Sequence, residues 1–216
     1  IATLDNFYWL SQTTSEWVAG KYYIQTADID ASATSTWFPN GSGGYYGFPT
    51  IGGNADVTGN HVQGTFSGNY NGQGYSISNL YINRAPAHVA IFGYCSGTTI
   101  QNLRIVNAVV IATGPQTGTG VGILIGNSTT GVAATITNVH IVGGSLTNST
   151  YGFAAAFVGY GSITATNCTT SAAVTQSSGS GWAVGGFIGY LNSTSSFTNC
   201  GASGNVSSPG GSVGGF

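Results

Sequence analysis

Charged side chains are almost missing from this chain. Of its 216 residues, three are Lys or Arg and five are Asp or Glu, together 4%, against about 25% in an ordinary soluble domain. With a formal charge of −2 and no basic stripe to neutralise phosphates, the chain is excluded as a nucleic-acid binder. No apolar run approaches the ~18 residues of a spanning helix, so no membrane span is expected. Methionine is absent and cysteine occurs only three times. The few carboxylates are crowded toward one end: Asp5, Glu16, Asp28, Asp30 and Asp56 all precede residue 57. From Ile105 to Phe216 there is no Asp, Glu, Lys or Arg, and one histidine, His140. Acid–base, metal-hydrolytic and phosphoryl-transfer chemistry all need such groups. Half of the chain is therefore nearly incapable of that chemistry.

What is present in their place is glycine, 36 residues of it, alongside 41% hydrophobic and 12% aromatic residues. A disordered low-complexity segment lacks the aromatic and β-branched residues seen here. The composition predicts an all-β protein. Apart from alanine, helix-favouring residues such as Leu, Glu and Lys hardly occur beyond residue 20. The absence of methionine, even at position 1, and the abundance of Ser, Thr and Asn suggest a secreted chain whose Ile1 follows signal-peptide removal. Sequons stand at Asn40, Asn127, Asn148, Asn167, Asn192 and Asn205. A chain this rich in Asn, Ser and Thr acquires several by chance, so glycosylation depends on whether the source has the machinery.

Two ladders of repeats run through the chain. The first comprises Ala90-Ile91-Phe92-Gly93, Ile123-Leu124-Ile125-Gly126, Ala156-Phe157-Val158-Gly159 and Gly186-Phe187-Ile188-Gly189, with a fifth beginning at Gly215-Phe216. The second comprises Ile77 to Leu80, Ile100 to Leu103, Ile136 to Val139, Ala165 to Cys168 and Phe197 to Cys200. Short alternating runs between Gly, Ser, Asn and Thr clusters predict several strands per unit. A period of roughly 30 residues suits one coil of a parallel β-solenoid, with equivalent residues about 4.8 Å apart. Leu80, Leu103, Val139, Cys168 and Cys200 are expected to form one inward column. Tyr81, Arg104, His140, Thr169 and Gly201 are their expected outward neighbours. Asn79, Asn102, Asn138, Asn167 and Asn199 are expected to form an amide ladder at a bend.

At these residues the chain resembles the GLUG motif, a repeat of bacterial and archaeal surface proteins. Gly186-Phe187-Ile188-Gly189 matches it with Phe in place of Leu. The stretch from Gly64 to Ile82, and Thr26-Ala27-Asp28-Ile29-Asp30, are similar to the segments that lead into such arrays. Ser67 stands where the family commonly has an acidic residue. The resemblance spans about residues 22 to 216. It implies a right-handed parallel β-helix on secreted or surface-attached proteins, and no single activity. The expected fold is such a β-helix, of about five coils. Residues 1–63 would form an aromatic-rich N-terminal cap and Gly-rich loop, and residues 64–216 the repeats. The array would be truncated or open at the C-terminus, with Val213 and Phe216 beginning a coil that stops.

Asp28 and Asp30, two apart, could form a catalytic pair or, with Asp56, a calcium site; the simpler reading is that they cap strand edges by accepting backbone N–H bonds. Cys168 and Cys200 share a column as small apolar residues, where a disulfide would be strained, and Cys95 has no aligned partner. His61, His88 and His140 fall in unrelated columns, so no metal site is expected. No cofactor is implied. Trp37, Phe38, Tyr45, Tyr46 and Phe48 flank a Gly-rich loop where they could stack on sugar rings, meet another subunit or simply cover the solenoid end. No regular Thr-x-Thr array recurs, which sets aside an ice-binding face. These observations favour a non-catalytic extracellular surface protein, a filament or sheath subunit self-associating through open solenoid ends. The alternatives are a glycan-binding adhesin domain and a glycan-active β-helix hydrolase or lyase using Asp28, Asp30 or Asp56.

Overall fold

In the computed structural model, residues 1–54, 61–85, 87–113, 120–129, 132–149, 152–177, 182–192 and 195–216 are described. They form a parallel β-solenoid of stacked coils. The longest sheet runs, in spatial order, through Tyr22–Ile24, Asn69–Asn71, Thr99–Val106, Ala134–Val142, Ile163–Thr166 and Ser196–Thr198. Four short strands extend it past a corner. A second sheet stacks Tyr81–Arg84, Val109–Ala112, Ser145–Asn148, Ala173–Gln176 and Val206–Ser207. Two four-stranded sheets complete the coil, one from Phe92–Cys95 to Ile188–Leu191 and one from Gly120–Gly122 to Ser212–Gly214. Four strands deep on two faces, the stack makes about four complete turns, against the five expected.

The corner of the long sheet explains how a polar, glycine-rich sequence encloses a dry core. A regular strand alternates inward and outward residues. Along Ala134–Val142 that alternation slips: Ala134 and Ile136 are buried, and so are Val139 and Ile141. Asn138 sits at the slip with φ 52°. A left-handed residue turns the chain so that the strands on both sides face inward, and Asn tolerates this conformation better than most side chains. Asn102, Asn167 and Asn199 repeat it, with φ between 52° and 54°. Their amides form a continuous ladder, each Nδ2 donating to the Oδ1 one coil earlier at 3.1 Å, from Asn199 through Asn167, Asn138 and Asn102.

The ladder begins on Asn71, not on the expected Asn79. Asn79 (φ 59°) stands at the next corner, where its Nδ2 bonds Asp30 and Ser78 pairs with Val106, just before Asn107 (φ 53°). Leu80 and Tyr81 move with it. Tyr81 pairs with Val109, while Ser76 pairs with Arg104. Past this point the expected register holds. Leu103 pairs with Val139, and Arg104, His140, Thr169 and Gly201 follow one another across the sheet. The inward neighbours Ile100, Ile136, Leu103, Val139 and Cys168 are all buried. Each large aliphatic side chain so buried contributes about 1.5–3 kcal/mol, whereas a net amide hydrogen bond contributes about 1 kcal/mol. The columns supply the stability and the amides fix the corner.

The N-terminal end is closed by a helix, Leu4–Gln12, capped by the Thr3 hydroxyl, which accepts from the Asn6 amide at 3.2 Å. Phe7 and Leu10, three apart on one face, are fully buried. Phe7 stacks on Phe48 at 4.9 Å and meets Tyr70 edge-on at 6.0 Å. Tyr22–Ile24 and Ile29–Asp30, on the N-terminal side of the boundary expected at 63, already pair parallel with the first coil.

The corner predicts a specific mutational order. Asn138→Ala combines a left-handed β-carbon with the loss of ladder bonds and should lower stability by about 2 kcal/mol. Asn138→Gly relieves the backbone while losing the same bonds, and should cost about half as much. Urea unfolding of the two variants checks this; equal losses would mean that the left-handed corner contributes nothing.

Candidate functional sites: two aromatic surfaces

The Gly-rich loop is built by local bonds and then locked to the first coil. Asn40 Oδ1 accepts from the Ser42 and Gly44 amides at 3.0 Å each, and Pro39 bridges Tyr45, which folds residues 39–45 into a tight turn. The Phe48 amide donates to the Tyr81 carbonyl at 2.8 Å, and Gly47 lies so close that a β-carbon there would sit 2.3 Å from that oxygen. Arg84, fully buried, holds the loop from beneath. Its Nε donates to the Phe48 carbonyl at 3.1 Å and its Nη2 to the Gly47 carbonyl at 2.8 Å. Its guanidinium also lies 5.8 Å from the Phe38 ring centre and 5.9 Å from that of Tyr46, within cation–π range. Phe38 keeps φ at 58°, a strained setting for a bulky residue.

Of the five loop aromatics, Phe48 belongs to the core: it is fully buried between Phe7 and Trp37. Trp37, Phe38, Tyr45 and Tyr46 are half-buried. Trp37 and Phe38 line a cavity of about 350 Å³ with Asp5 and Tyr8 from the helix. Tyr8 meets Trp37 edge-on at 5.3 Å. Asp5, Tyr8 and Arg84 were not anticipated for this surface; residues so far apart in sequence are joined only by the docking of helix and loop.

A second aromatic surface lies on the later coils. Phe153, Tyr160, Trp182, Ala183, Tyr190 and Ser212 line a groove of about 580 Å³. Tyr160 and Tyr190 are paired across adjacent strands with their rings 5.5 Å apart and 7° from parallel. Phe153 lies 4.6 Å from Tyr190, 5.2 Å from Tyr160 and, edge-on, 5.2 Å from Trp182. Asn192 Nδ2 donates to the Tyr160 hydroxyl at 2.7 Å. Trp182 remains 50% exposed and Tyr190 46%. A signal for this groove existed in the repeat itself, because a tyrosine directly follows Gly93, Gly159 and Gly189.

The other expected sites divide by environment. Asp28 accepts from the Ser76 amide at 2.7 Å and the Ser76 hydroxyl at 2.9 Å. Asp30 accepts from the Ser32 amide at 3.0 Å and the Asn79 amide group at 3.1 Å. Those donors hold both carboxyls below the usual range, the Ser76 amide foremost for Asp28 and Asn79 for Asp30. Both are thus committed to strand and corner bonding. Asp56 lies outside the described residues. His61 bonds Thr50, His140 bonds Thr169 at 2.8 Å, and burial pushes His88 down to about 4. Among the described residues no three of His, Cys, Asp and Glu cluster as metal ligands would. Cys95, Cys168 and Cys200 are free thiols, and burial pushes Cys168 up to about 11. Burial also removes two of the six sequon asparagines from the surface, Asn127 and Asn148. Asn205 is exposed and Asn40 and Asn192 are half-buried, while the amide of Asn167 is used in the ladder.

The GLUG motif matches residues 180–207, and the chain carries that motif in the coil containing Trp182 and Tyr190. Over 107 residues, 48% of the chain, it is 38% identical to halomucin of Haloquadratum walsbyi. That match covers 1% of halomucin's length. The fold is shared with the solved structure of a "putative immunoglobulin A1 protease" from Bacteroides ovatus, at TM-score 0.73 and 21% identity, over all of this chain and 60% of that one. No helix among the described residues is long and apolar enough to cross a membrane.

The carboxylate bonding predicts an acid response. A carboxyl whose folded pKa is lowered adds stability that is complete above its ordinary value and is lost as pH falls through the folded one. The melting temperature should therefore drop between about pH 5 and pH 2. Asp28→Asn with Asp30→Asn should shrink that drop, leaving the part due to Glu16, which Lys21 and Tyr23 also hold low. An unchanged acid slope in calorimetry would show that these bonds do not couple to folding.

Proposed function

We propose that this chain is a non-catalytic module of an extracellular surface protein, a stiff solenoid serving a structural or adhesive role. The observation that carries this reading is how the polar groups are used. The amides stack coil on coil, and Asp28 and Asp30 are bonded into a strand end and a corner. A general acid or base needs a pKa tuned toward its working pH, whereas both carboxyls are shifted the other way. The GLUG motif and the likeness to halomucin support a surface protein. The protease-named neighbour, at 21% identity, supports the fold alone.

The finer reading is a filament or sheath subunit that assembles through the solenoid ends. Ile188–Leu191, Ser196–Thr198, Val206–Ser207 and Ser212–Gly214 each occupy the edge of a sheet, and edge strands invite further pairing. Val213 and Phe216 are 51% and 48% exposed there. Phe216 prolongs a ring stack of Phe157 and Phe187, with centres 4.3 Å and then 4.8 Å apart. On the opposite end Tyr22, 76% exposed, sits on the edge strand Tyr22–Ile24. Contact between these unlike ends does not close on itself and builds fibres. A formal charge of −2 opposes it little.

Sedimentation velocity and negative-stain microscopy test this. Concentration-dependent fibres are expected from the native chain and dispersed particles from the double variant Val213→Glu with Phe216→Glu. Monomers at every concentration would remove the filament reading and leave the module. Turnover of a polysaccharide that disappears in Asp28→Asn and Asp30→Asn would overturn the non-catalytic reading itself.

A further inference from the structure

The groove lined by Phe153, Tyr160, Trp182 and Tyr190 has a composition that selects its ligand. We propose that it binds uncharged sugar rings of an extracellular polysaccharide, stacking them on Trp182 and Tyr190. The inference rests on the module being extracellular and is independent of assembly.

Three properties converge on that ligand class. The first is charge. From Ile105 to Phe216 no formally charged side chain exists, so the surroundings offer no counter-charge to an acidic or basic ligand. An ionic ligand entering this groove would lose hydration without a compensating partner. The second is the mixture of faces and tips. Four rings give apolar faces, and the hydroxyls of Tyr160 and Tyr190 with Ser212 give polar atoms around them. A sugar ring has the matching pattern, C–H groups on its faces and hydroxyls on its rim, and aromatic residues with a polar handle suit such half-wet contacts. The third is rigidity. Tyr160 and Tyr190 lie on paired strands, Phe153 packs on both, and Asn192 orients the Tyr160 hydroxyl. A pre-formed platform loses little side-chain freedom when a ligand arrives.

Trp182 and Tyr190 keep about half of their surface in solvent while Phe153 beneath them is buried. The buried ring therefore serves as support, and the exposed pair is what a ligand touches. Because Ser212 belongs to the edge strand Ser212–Gly214, a second copy of the chain is the competing occupant.

The test uses the purified full chain at concentrations where sedimentation shows it monomeric. Four soluble neutral polysaccharides, a glucan, a mannan, a galactan and a xylan, serve as probes in affinity electrophoresis and tryptophan-fluorescence titration. At least one should retard the native chain and change its fluorescence. Trp182→Ala and Tyr190→Ala should each weaken that binding about tenfold, and raising the salt should leave it unchanged. Trp9→Ala, on the outer face of the N-terminal helix, should bind as the native chain does. Tyr190→Phe, which keeps the ring, should retain most of the affinity and guards against misfolding of the alanine variants. The proposal is overturned if none of the four probes binds, or if binding survives undiminished in both alanine variants. It is equally overturned if those variants alter only self-association, which would assign the groove to a second copy. A native chain that binds sugar but forms no fibres at any concentration would instead contradict only the assembly reading.

Discussion

The left-handed asparagine corner is the constraint on which the rest of this molecule depends. At Asn102, Asn138, Asn167 and Asn199 the chain reverses its inward–outward phase. Without that reversal one of the two flanking segments would turn its apolar residues to water. Each corner leaves an amide projecting at the same height in every coil, and the ladder of 3.1 Å bonds follows. Polar residues placed in columns satisfy one another, so the protein can be rich in Asn, Ser and Thr and still nearly free of charge. Asp28 and Asp30 are likewise held by their neighbours, one at a strand end and one at a corner.

The two ends differ in kind. At one end Phe7 and Leu10 of a short helix plug the coil, and Arg84 pins an aromatic loop over its flank. At the other, sheet edges and the ring of Phe216 face solvent. Stacks whose units touch only their neighbours gain stability from interfaces, so the interior coils should hold most firmly. The aromatic groove lies between these regimes, close enough to the interior to be rigid and close enough to the edge to be accessible.

Much of this architecture was legible in the sequence because a solenoid writes its contacts at a constant spacing. Leu103, Val139, Cys168 and Cys200 could be aligned by eye, and the outward neighbours with them. The first coil was not legible in the same way. Its strands Asn69–Asn71 and Ser76–Ser78 are separated from the strands they stack on, Tyr22–Ile24 and Ile29–Asp30, by a long excursion that carries the aromatic loop. Two successive corners also carry similar motifs, so Ile77 to Leu80 aligned with the wrong one. The burial of Phe48 depends on a helix that docks from the N-terminus, which no periodicity reports. The groove at Phe153 and Trp182 was missed for a related reason. Its residues come from three coils and from different faces, and only the tyrosines after Gly159 and Gly189 repeat in step.

Hydrogen–deuterium exchange along the folded chain tests most directly whether this is a one-dimensional stack whose stability comes from strands paired on both edges. The account predicts the slowest exchange in Thr99–Val106 and Ala134–Val142, strands covered on both edges. Protection should persist through the helix-plugged first coil and be lost first in Ser196–Thr198, Val206–Ser207 and Ser212–Gly214. Uniform protection from end to end, or the slowest exchange in those last strands, would contradict it.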